Sequence, residues 1–146
     1  MKILIVDDLE ENLYLLEVLL KGNGYKVIPA KNGVEALSKL RKESIDIIIS
    51  DILMPRMDGF QLCRECKKDE SLKKIPFIFY TATYTDKEDE KFALSLGAER
   101  FIIKPQEPEI FLKILKEVIE EYKEEIIIAP QEPIQAEEIY LSEYNK

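Results

Sequence analysis

Hydrophobic residues fall into five short runs along the chain, separated by amphipathic stretches. The runs are Ile3–Val6, Tyr25–Ile28, Ile45–Ser50, Ile75–Tyr80 and Arg100–Ile103. Apolar runs of this length predict buried β-strands, whereas apolar residues repeating every three or four positions between them predict helices. This alternation predicts an α/β domain built on a parallel sheet.

The predicted helices carry their apolar residues at helical spacing. They are Leu13, Leu16, Val18 and Leu20 in the first helix, Val34, Leu37 and Leu40 in the second, and Phe111, Leu115, Val118 and Tyr122 in the last. Gly22 and Gly24 mark the end of the first helix and Gly97 the end of the fourth, while Pro108 suits a first helical turn.

The composition of the runs predicts their order in the sheet. The first, third and fourth runs are almost entirely apolar, as expected of strands covered on both faces. The second run is more mixed and leads into Pro29, which suits an edge strand. We therefore predict a doubly wound, five-stranded parallel sheet in the order 2-1-3-4-5 within a three-layer α/β/α fold. Such sheets bind ligands beyond the carboxyl ends of the first and third strands.

Carboxylates follow these two strands directly. Asp7 and Asp8 come after the first strand, and Asp51 comes after the third. Three carboxylates at one edge of a sheet repel one another unless a cation joins them, and Mg²⁺ (or Mn²⁺) prefers such oxygen ligands. Helix capping is the alternative for Asp7 or Asp8, but it does not explain all three acids.

The last two strands bring a hydroxyl and an ammonium group to the same edge. Thr81 and Lys104 are each interpreted as the last residue of their strand, and Pro105 stiffens the turn that follows. A cation, a carboxylate nucleophile, a hydroxyl and a lysine are the groups required for phosphoryl transfer to an aspartate.

Four motifs, "ILIVDD", "IIISDILMPRMDG", "YTAT" and "GAERFIIKP", resemble those of receiver domains of two-component response regulators, in order and spacing. The resemblance covers residues 1–122 and implies the flavodoxin-like receiver fold with the strand order given above. It implies a signalling protein that catalyses only its own phosphorylation and dephosphorylation, rather than an enzyme acting on a separate substrate.

The resemblance also implies a role for each matching residue. The implied set is Asp51 as phosphoacceptor, Asp7, Asp8, Asp51 and the backbone carbonyl of Leu53 as Mg²⁺ ligands, Lys104 and Thr81 as contacts of the phosphoryl group, and Thr81 and Phe101 as switch residues. Phosphorylation is then expected to reshape the face of the fourth helix, fifth strand and fifth helix. Leu53 is bulky and apolar beside the expected path of attacking water, so slow autodephosphorylation is predicted.

The composition narrows the possible partners. A net charge of −8 without a basic patch argues against direct nucleic-acid binding. The chain has no histidine, so the phosphohistidine must come from a sensor histidine kinase or a phosphotransfer protein. A downstream output module, or a second copy of the chain in a homodimer, is a further expected partner. The short apolar run at the N-terminus predicts neither a leader nor a membrane span, so a cytoplasmic location is expected.

Two segments call for separate interpretation. Cys63 and Cys66 form a CxxC, but no second pair of ligands completes a zinc site, so ordinary helix residues are predicted. Residues 123–146 hold six glutamates against Lys123 and Lys146. We interpret this extension as an acidic tail or as a linker to a further module. The last helix either continues through Ile126–Ile128 or gives way to extended chain there. Another helix is predicted to start at Pro133.

Three alternative functions are considered at this stage. One is a degenerate receiver that only binds partners, which the filling of all five site positions argues against. A haloacid-dehalogenase-type phosphatase also uses an aspartyl phosphate, but its acids stand two residues apart, whereas Asp7 and Asp8 are adjacent. A flavodoxin-like flavin binder shares the fold, but its phosphate loop is expected after the first strand, where two acids would repel a phosphate.

Overall fold

The computed structural model describes residues 1–128 of the chain, with side chains described through residue 123. Strands and helices alternate along these residues. They are β1 (Lys2–Val6), α1 (Glu10–Gly22), β2 (Lys26–Ala30), α2 (Gly33–Lys42), β3 (Ile47–Ser50), α3 (Gly59–Lys68), β4 (Phe77–Thr81), α4 (Lys87–Ser95), β5 (Arg100–Ile103) and α5 (Pro108–Ile128). The helix start predicted at Pro133 lies outside the described residues.

The five strands form one parallel sheet in the order β2-β1-β3-β4-β5, which confirms the predicted fold class and strand order. Strand β2 lies at an edge and continues through Pro29 to Ala30. A proline is tolerated there because an edge strand leaves one row of backbone N–H groups without a partner in the sheet.

Both faces of the sheet are buried. Leu4, Val6 and Ile48 on one face belong to a core cluster that also contains Leu40 of α2 and Leu62 of α3. On alternate positions of the same strands, Ile3, Ile5, Ile47 and Ile49 are at most 1% exposed. Burial on both faces explains why these strands are apolar at every position instead of at every second one.

The predicted apolar face of α1 is wrong at one position. Leu13 and Leu20 are buried, but the Val18 side chain is 52% exposed. Val18 follows Leu13 by five residues, which is about 140° around a helix of 3.6 residues per turn. It therefore points away from the buried face. Val34, at the start of α2, is exposed in the same way.

The chain divides into two compact units. The first, Met1–Gln106, contains the sheet and helices α1 to α4, and the second begins at Glu107 and contains α5. Phe111, Leu115 and Val118 on one side of α5 are buried, as predicted. The backbone remains helical through Ile128, so the helical alternative for Ile126–Ile128 is the one observed.

Candidate functional site

The ladder between β1 and β3 brings the first and third strand ends together. Val6 lies opposite Ser50 in this ladder. The N–H of Asp51 donates to the carbonyl oxygen of Val6 at 2.9 Å, and the N–H of Asp7 donates to Ala30 at 3.1 Å. Sheet-like hydrogen bonding therefore continues one residue past each strand, and it fixes the backbone from which the acidic side chains project.

Asp7, Asp8 and Asp51 form a group in which one carboxylate oxygen from each lies within 4.8 Å of the other two. Asp7 is buried, Asp51 is half-buried and Asp8 is exposed. Oxygens bound to one Mg²⁺ each lie about 2.1 Å from the ion, so ligand oxygens of a shared ion are separated by about 3–4 Å. The spacing of the three carboxylates fits such an ion after small side-chain adjustments.

Lys104 supplies a positive charge to this group. Its Nζ atom lies 2.8 Å from Oδ2 of Asp7 and 3.5 Å from Oδ2 of Asp51. The residue follows β5 by one position instead of ending it, which corrects the predicted strand boundary. The Lys104–Pro105 peptide bond is cis. One ammonium against three carboxylates leaves a net charge of −2, which a divalent cation would neutralise.

The carboxyl of Asp51 is held between opposing electrostatic effects. Burial raises its pKa above the ordinary value, and the negative charge of Asp7 raises it further. Lys104 and a 2.7 Å hydrogen bond from the N–H of Ile52 to Oδ1 lower it. Burial outweighs these two contacts, so the pKa of Asp51 lies above its ordinary value.

Thr81 is the last residue of β4, as predicted, and it is completely buried. Its Oγ1 atom accepts hydrogen bonds from the N–H groups of Thr83 at 3.1 Å and Tyr84 at 3.2 Å. Its carbonyl oxygen accepts from the N–H of Lys104 at 2.8 Å. Thr81 thus links the backbone of the β4–α4 loop to the residue that carries the ammonium group.

Phe101 is half-buried beside another aromatic ring, whereas Leu53 is exposed. The half-buried ring of Phe101 in β5 lies 6.3 Å from the ring of Phe79 in β4, in an edge-to-face arrangement. Leu53 stands in the loop after β3, and its side chain is 54% exposed. The structure therefore places Leu53 at the solvent side of the loop that also carries Asp51.

Sequence reasoning missed three residues that shape the site. Asn12 of α1 donates its side-chain N–H to Oδ2 of Asp7 at 3.1 Å. Tyr80, which precedes Thr81, lies beneath the Lys104 ammonium at 5.4 Å from ring centroid to Nζ. A Cβ atom on Gly59 would collide with the carbonyl oxygen of Asp51, so only glycine fits there. The signal for Gly59 was present as the Asp-Gly turn after "ILMPRM", whereas Asn12 and Tyr80 are unremarkable residue types within their elements.

The two cysteines are buried in α3 and chemically protected. Cys63 and Cys66 of α3 are free and buried. Burial raises the pKa of both thiols to about 12, so neither is a thiolate at neutral pH. This agrees with their interpretation as ordinary helix residues.

A family model described as "Response regulator receiver domain" matches residues 3–116 of the chain. The chain belongs to the response regulator receiver family. Its fold and its phosphoacceptor role in two-component signalling follow from this membership, in agreement with the sequence analysis. The comparisons support neither a haloacid-dehalogenase-type phosphatase nor a flavodoxin-like flavin binder.

Individual relatives illustrate the extent of the match. Protein PilH of Pseudomonas aeruginosa is 35% identical over 118 residues, which cover 81% of this chain and 97% of PilH. Response regulator PleD of Caulobacter vibrioides is 40% identical over 104 residues, which cover 71% of this chain but only 23% of PleD. The matched segment is thus nearly all of PilH but a small part of PleD.

A solved structure shows the same fold. The CheY-like receiver domain protein of Methanospirillum hungatei superposes with a TM-score of 0.78 at 32% identity, covering 85% of this chain and 97% of that one. Within residues 1–128, none of the helices combines the length and apolar character needed to cross a bilayer.

Proposed function

We propose that Asp51 is the phosphoacceptor of this receiver and that Asp7, Asp8, Lys104 and Thr81 serve its phosphorylation. The observation that carries the proposal is the meeting of three carboxylates within 4.8 Å beside one ammonium group. The Asp51 carboxylate lies between Lys104 and the N–H of Ile52, directly after the central strand β3. The short hydrogen bond from Ile52 orients the Asp51 carboxylate, and Lys104 places a positive charge beside it.

The proposed Mg²⁺ (or Mn²⁺) ligands are the carboxylates of Asp7, Asp8 and Asp51 with the backbone carbonyl of Leu53. The residual charge of −2 and the spacing of the oxygens support the assignment of the three carboxylates. The Leu53 carbonyl is proposed from the resemblance to receiver domains. When bound, the ion neutralises charge on the phosphoryl oxygens and so lets a carboxylate approach the phosphorus atom of an anionic phosphoryl group.

In the proposed reaction, a carboxylate oxygen of Asp51 forms a bond to phosphorus as the bond from phosphorus to the donor histidine nitrogen breaks. The ammonium group of Lys104 then pairs with one phosphoryl oxygen, and the Thr81 hydroxyl donates to another. Positioning and charge neutralisation provide most of the catalysis in such transfers. Attack of water on the same phosphorus releases inorganic phosphate and regenerates the Asp51 carboxylate, and these two steps are the only reactions that we assign to the chain.

The proposed switch begins at Thr81. If its hydroxyl turns to the phosphoryl group, the N–H groups of Thr83 and Tyr84 lose their shared acceptor. The β4–α4 loop must then rearrange, because the N–H of half-buried Tyr84 would be left without a partner, which is costly. Phe101 is the proposed aromatic partner in this change, and α4, β5 and α5 are the proposed output elements.

The proposed donor is a sensor histidine kinase or a phosphotransfer protein, since the chain contains no histidine of its own. A downstream output module or a second copy of the chain is the proposed recipient of the signal. We further propose residues 1–122 as the receiver and 123–146 as an extension beyond it. Two unpaired cysteines suit the proposed cytoplasmic location, where thiols stay reduced.

Intact-mass spectrometry after incubation with Mg²⁺ and acetyl phosphate tests the proposal. The wild-type chain should gain one phosphoryl group, and EDTA should prevent it. Asp51→Asn should abolish the adduct, whereas the matched control Asp58→Asn should retain it, because Asp58 caps α3 and asparagine also caps helices. An adduct of equal yield on Asp51→Asn would show that another residue is the acceptor.

A further inference from the structure

The ammonium group of Lys104 has a third neighbour besides its two carboxylates. Its Nζ atom lies 5.4 Å from the centroid of the Tyr80 ring. A cation within about 6 Å of an aromatic centroid, over the face of the ring, is attracted by the negative potential of that face. The half-buried position of both residues strengthens this attraction, because less water competes for the charge.

Strand pairing explains why these two side chains meet. Tyr80 of β4 lies opposite Ile102 of β5. Lys104 stands two residues beyond Ile102, and alternation along a strand therefore directs its side chain to the same face as Tyr80. The long lysine stem spans the separation between these diagonal neighbours and brings Nζ to 5.4 Å from the ring centroid.

The carboxylates alone do not hold the ammonium group where phosphorylation requires it. Lys104 lies closer to Asp7, at 2.8 Å, than to Asp51, at 3.5 Å. Lysine is a flexible side chain with many rotamers, so its strongest contact decides its position. That contact draws Nζ toward Asp7 and away from the proposed phosphoacceptor.

We propose that Tyr80 is a positioning residue for Lys104. Its ring keeps the Lys104 ammonium group near the site while that group exchanges its contact with Asp7 for a contact with the phosphoryl group on Asp51. A ring face attracts the positive charge of the ammonium group as a whole, whereas a carboxylate accepts a hydrogen bond from one of its N–H groups. The N–H groups of Lys104 therefore stay available to phosphoryl oxygens. This inference rests on the proposed function, because it assumes that Lys104 serves phosphorylation of Asp51.

Two substitutions of Tyr80 distinguish the effect of its aromatic ring from that of its hydroxyl group. Tyr80→Leu removes the aromatic face and should slow Mg²⁺-dependent loading by acetyl phosphate about fivefold. Tyr80→Phe retains the face and should load within about twofold of wild type. Thermal unfolding of each variant measures any general loss of stability. Equal rates for Tyr80→Leu and wild type would overturn the inference.

A double-mutant cycle with Lys104→Met tests whether the ring acts through the ammonium group. If it does, Tyr80→Leu should have no further effect on loading once Lys104 has lost its charge. A fivefold loss in both backgrounds would mean that Tyr80 acts independently of Lys104, and the inference would be wrong. Fluorinated phenylalanines at position 80 should reduce the rate progressively, because fluorine withdraws electron density from the ring face.

Nuclear magnetic resonance provides a readout that needs neither Mg²⁺ nor phosphorylation. The methylene protons next to Lys104 Nζ should show an upfield ring-current shift that is lost in Tyr80→Leu and kept in Tyr80→Phe. If the resonance is unchanged in Tyr80→Leu, the contact is absent and the inference fails. If the shift is present but the wild-type chain takes no phosphoryl group, the proposed function fails while the contact between Tyr80 and Lys104 stands.

Discussion

The ammonium group of Lys104 is bound more closely to Asp7 than to Asp51, with Nζ to Oδ2 distances of 2.8 Å and 3.5 Å. Lys104 therefore neutralises the same carboxylate that is proposed to help bind Mg²⁺. A positive charge in this position opposes cation binding, yet the phosphoryl group requires it later. Loss of Lys104 should consequently strengthen Mg²⁺ binding and slow phosphoryl loading.

Lys104→Met should tighten Mg²⁺ binding and slow phosphoryl loading. Removing a unit charge that contacts two of the proposed ligands changes the binding free energy by about 1 kcal/mol or more, which is about fivefold in affinity. Loss of a charge-assisted hydrogen bond to the phosphoryl group should slow loading about tenfold or more. Calorimetric Mg²⁺ titration and intact mass measure the two effects. Lys74→Met, which alters the net charge equally at an exposed position, serves as the control, and weaker Mg²⁺ binding by Lys104→Met would contradict the argument.

Leu53→Asn should shorten the lifetime of the phosphorylated chain. The exposed Leu53 side chain lies in the loop that carries Asp51 and presents an apolar surface to incoming water. An amide there would offer the attacking water a hydrogen bond, worth about 1 kcal/mol or about fivefold in rate. Decay of the phosphoryl adduct after donor removal gives the lifetime. Leu53→Met preserves size and apolarity and should decay like wild type, and equal lifetimes for all three chains would reject a role for Leu53.

Much of this fold and site could be predicted because the information is local. The apolar runs of β1, β3 and β4 are uninterrupted, since both faces of these strands are buried. Asp7, Asp8, Asp51 and Lys104 were found because each follows a strand closely, and parallel strands end at the same edge of a sheet. Their convergence is thus a consequence of topology and needs no knowledge of side-chain contacts.

The contacts that could not be predicted join residues whose types suit ordinary structural roles. Asn12 reaches Asp7 from within α1, and Tyr80 reaches Lys104 from within β4. Asparagine in a helix and tyrosine in a strand are common, so neither attracts notice without the three-dimensional pairing. The exposure of Val18 was also mispredicted, because an apolar residue in α1 was assumed to share the buried face.

Cys63 and Cys66 should resist thiol reagents in the folded chain. Burial raises the pKa of both thiols to about 12, so at pH 8 the unreactive protonated form predominates. A colorimetric disulfide reagent at pH 8 should label neither cysteine in native protein and both after denaturation. Arg64→Cys, which puts a thiol on the exposed side of α3, should react readily in the native state. Rapid labelling of native wild-type protein would instead support a reactive or metal-binding CxxC.

Lys67→Met should destabilise the fold without affecting phosphorylation. The Lys67 ammonium group donates to the carbonyl oxygens of Lys73 and Ile75, both at 3.2 Å, and pairs with Glu99 at 3.2 Å. Glu99 in turn accepts from the N–H of Phe77 at 2.6 Å, where β4 begins. Loss of the cation leaves a half-buried carboxylate and two carbonyl groups without this donor, at a cost of about 1–3 kcal/mol in the free energy of unfolding.

Urea unfolding measures this cost, and Lys68→Met provides the matched control. Lys68 is the adjacent residue, mostly exposed, with a 3.8 Å ion pair to Glu65, so its loss should change the free energy of unfolding by less than about 0.5 kcal/mol. Phosphoryl loading of Lys67→Met should equal that of wild type, because Lys67 acts where β4 begins and the site lies where β4 ends. If Lys67→Met and Lys68→Met unfold at the same urea concentration, the Lys67 contacts do not stabilise the fold.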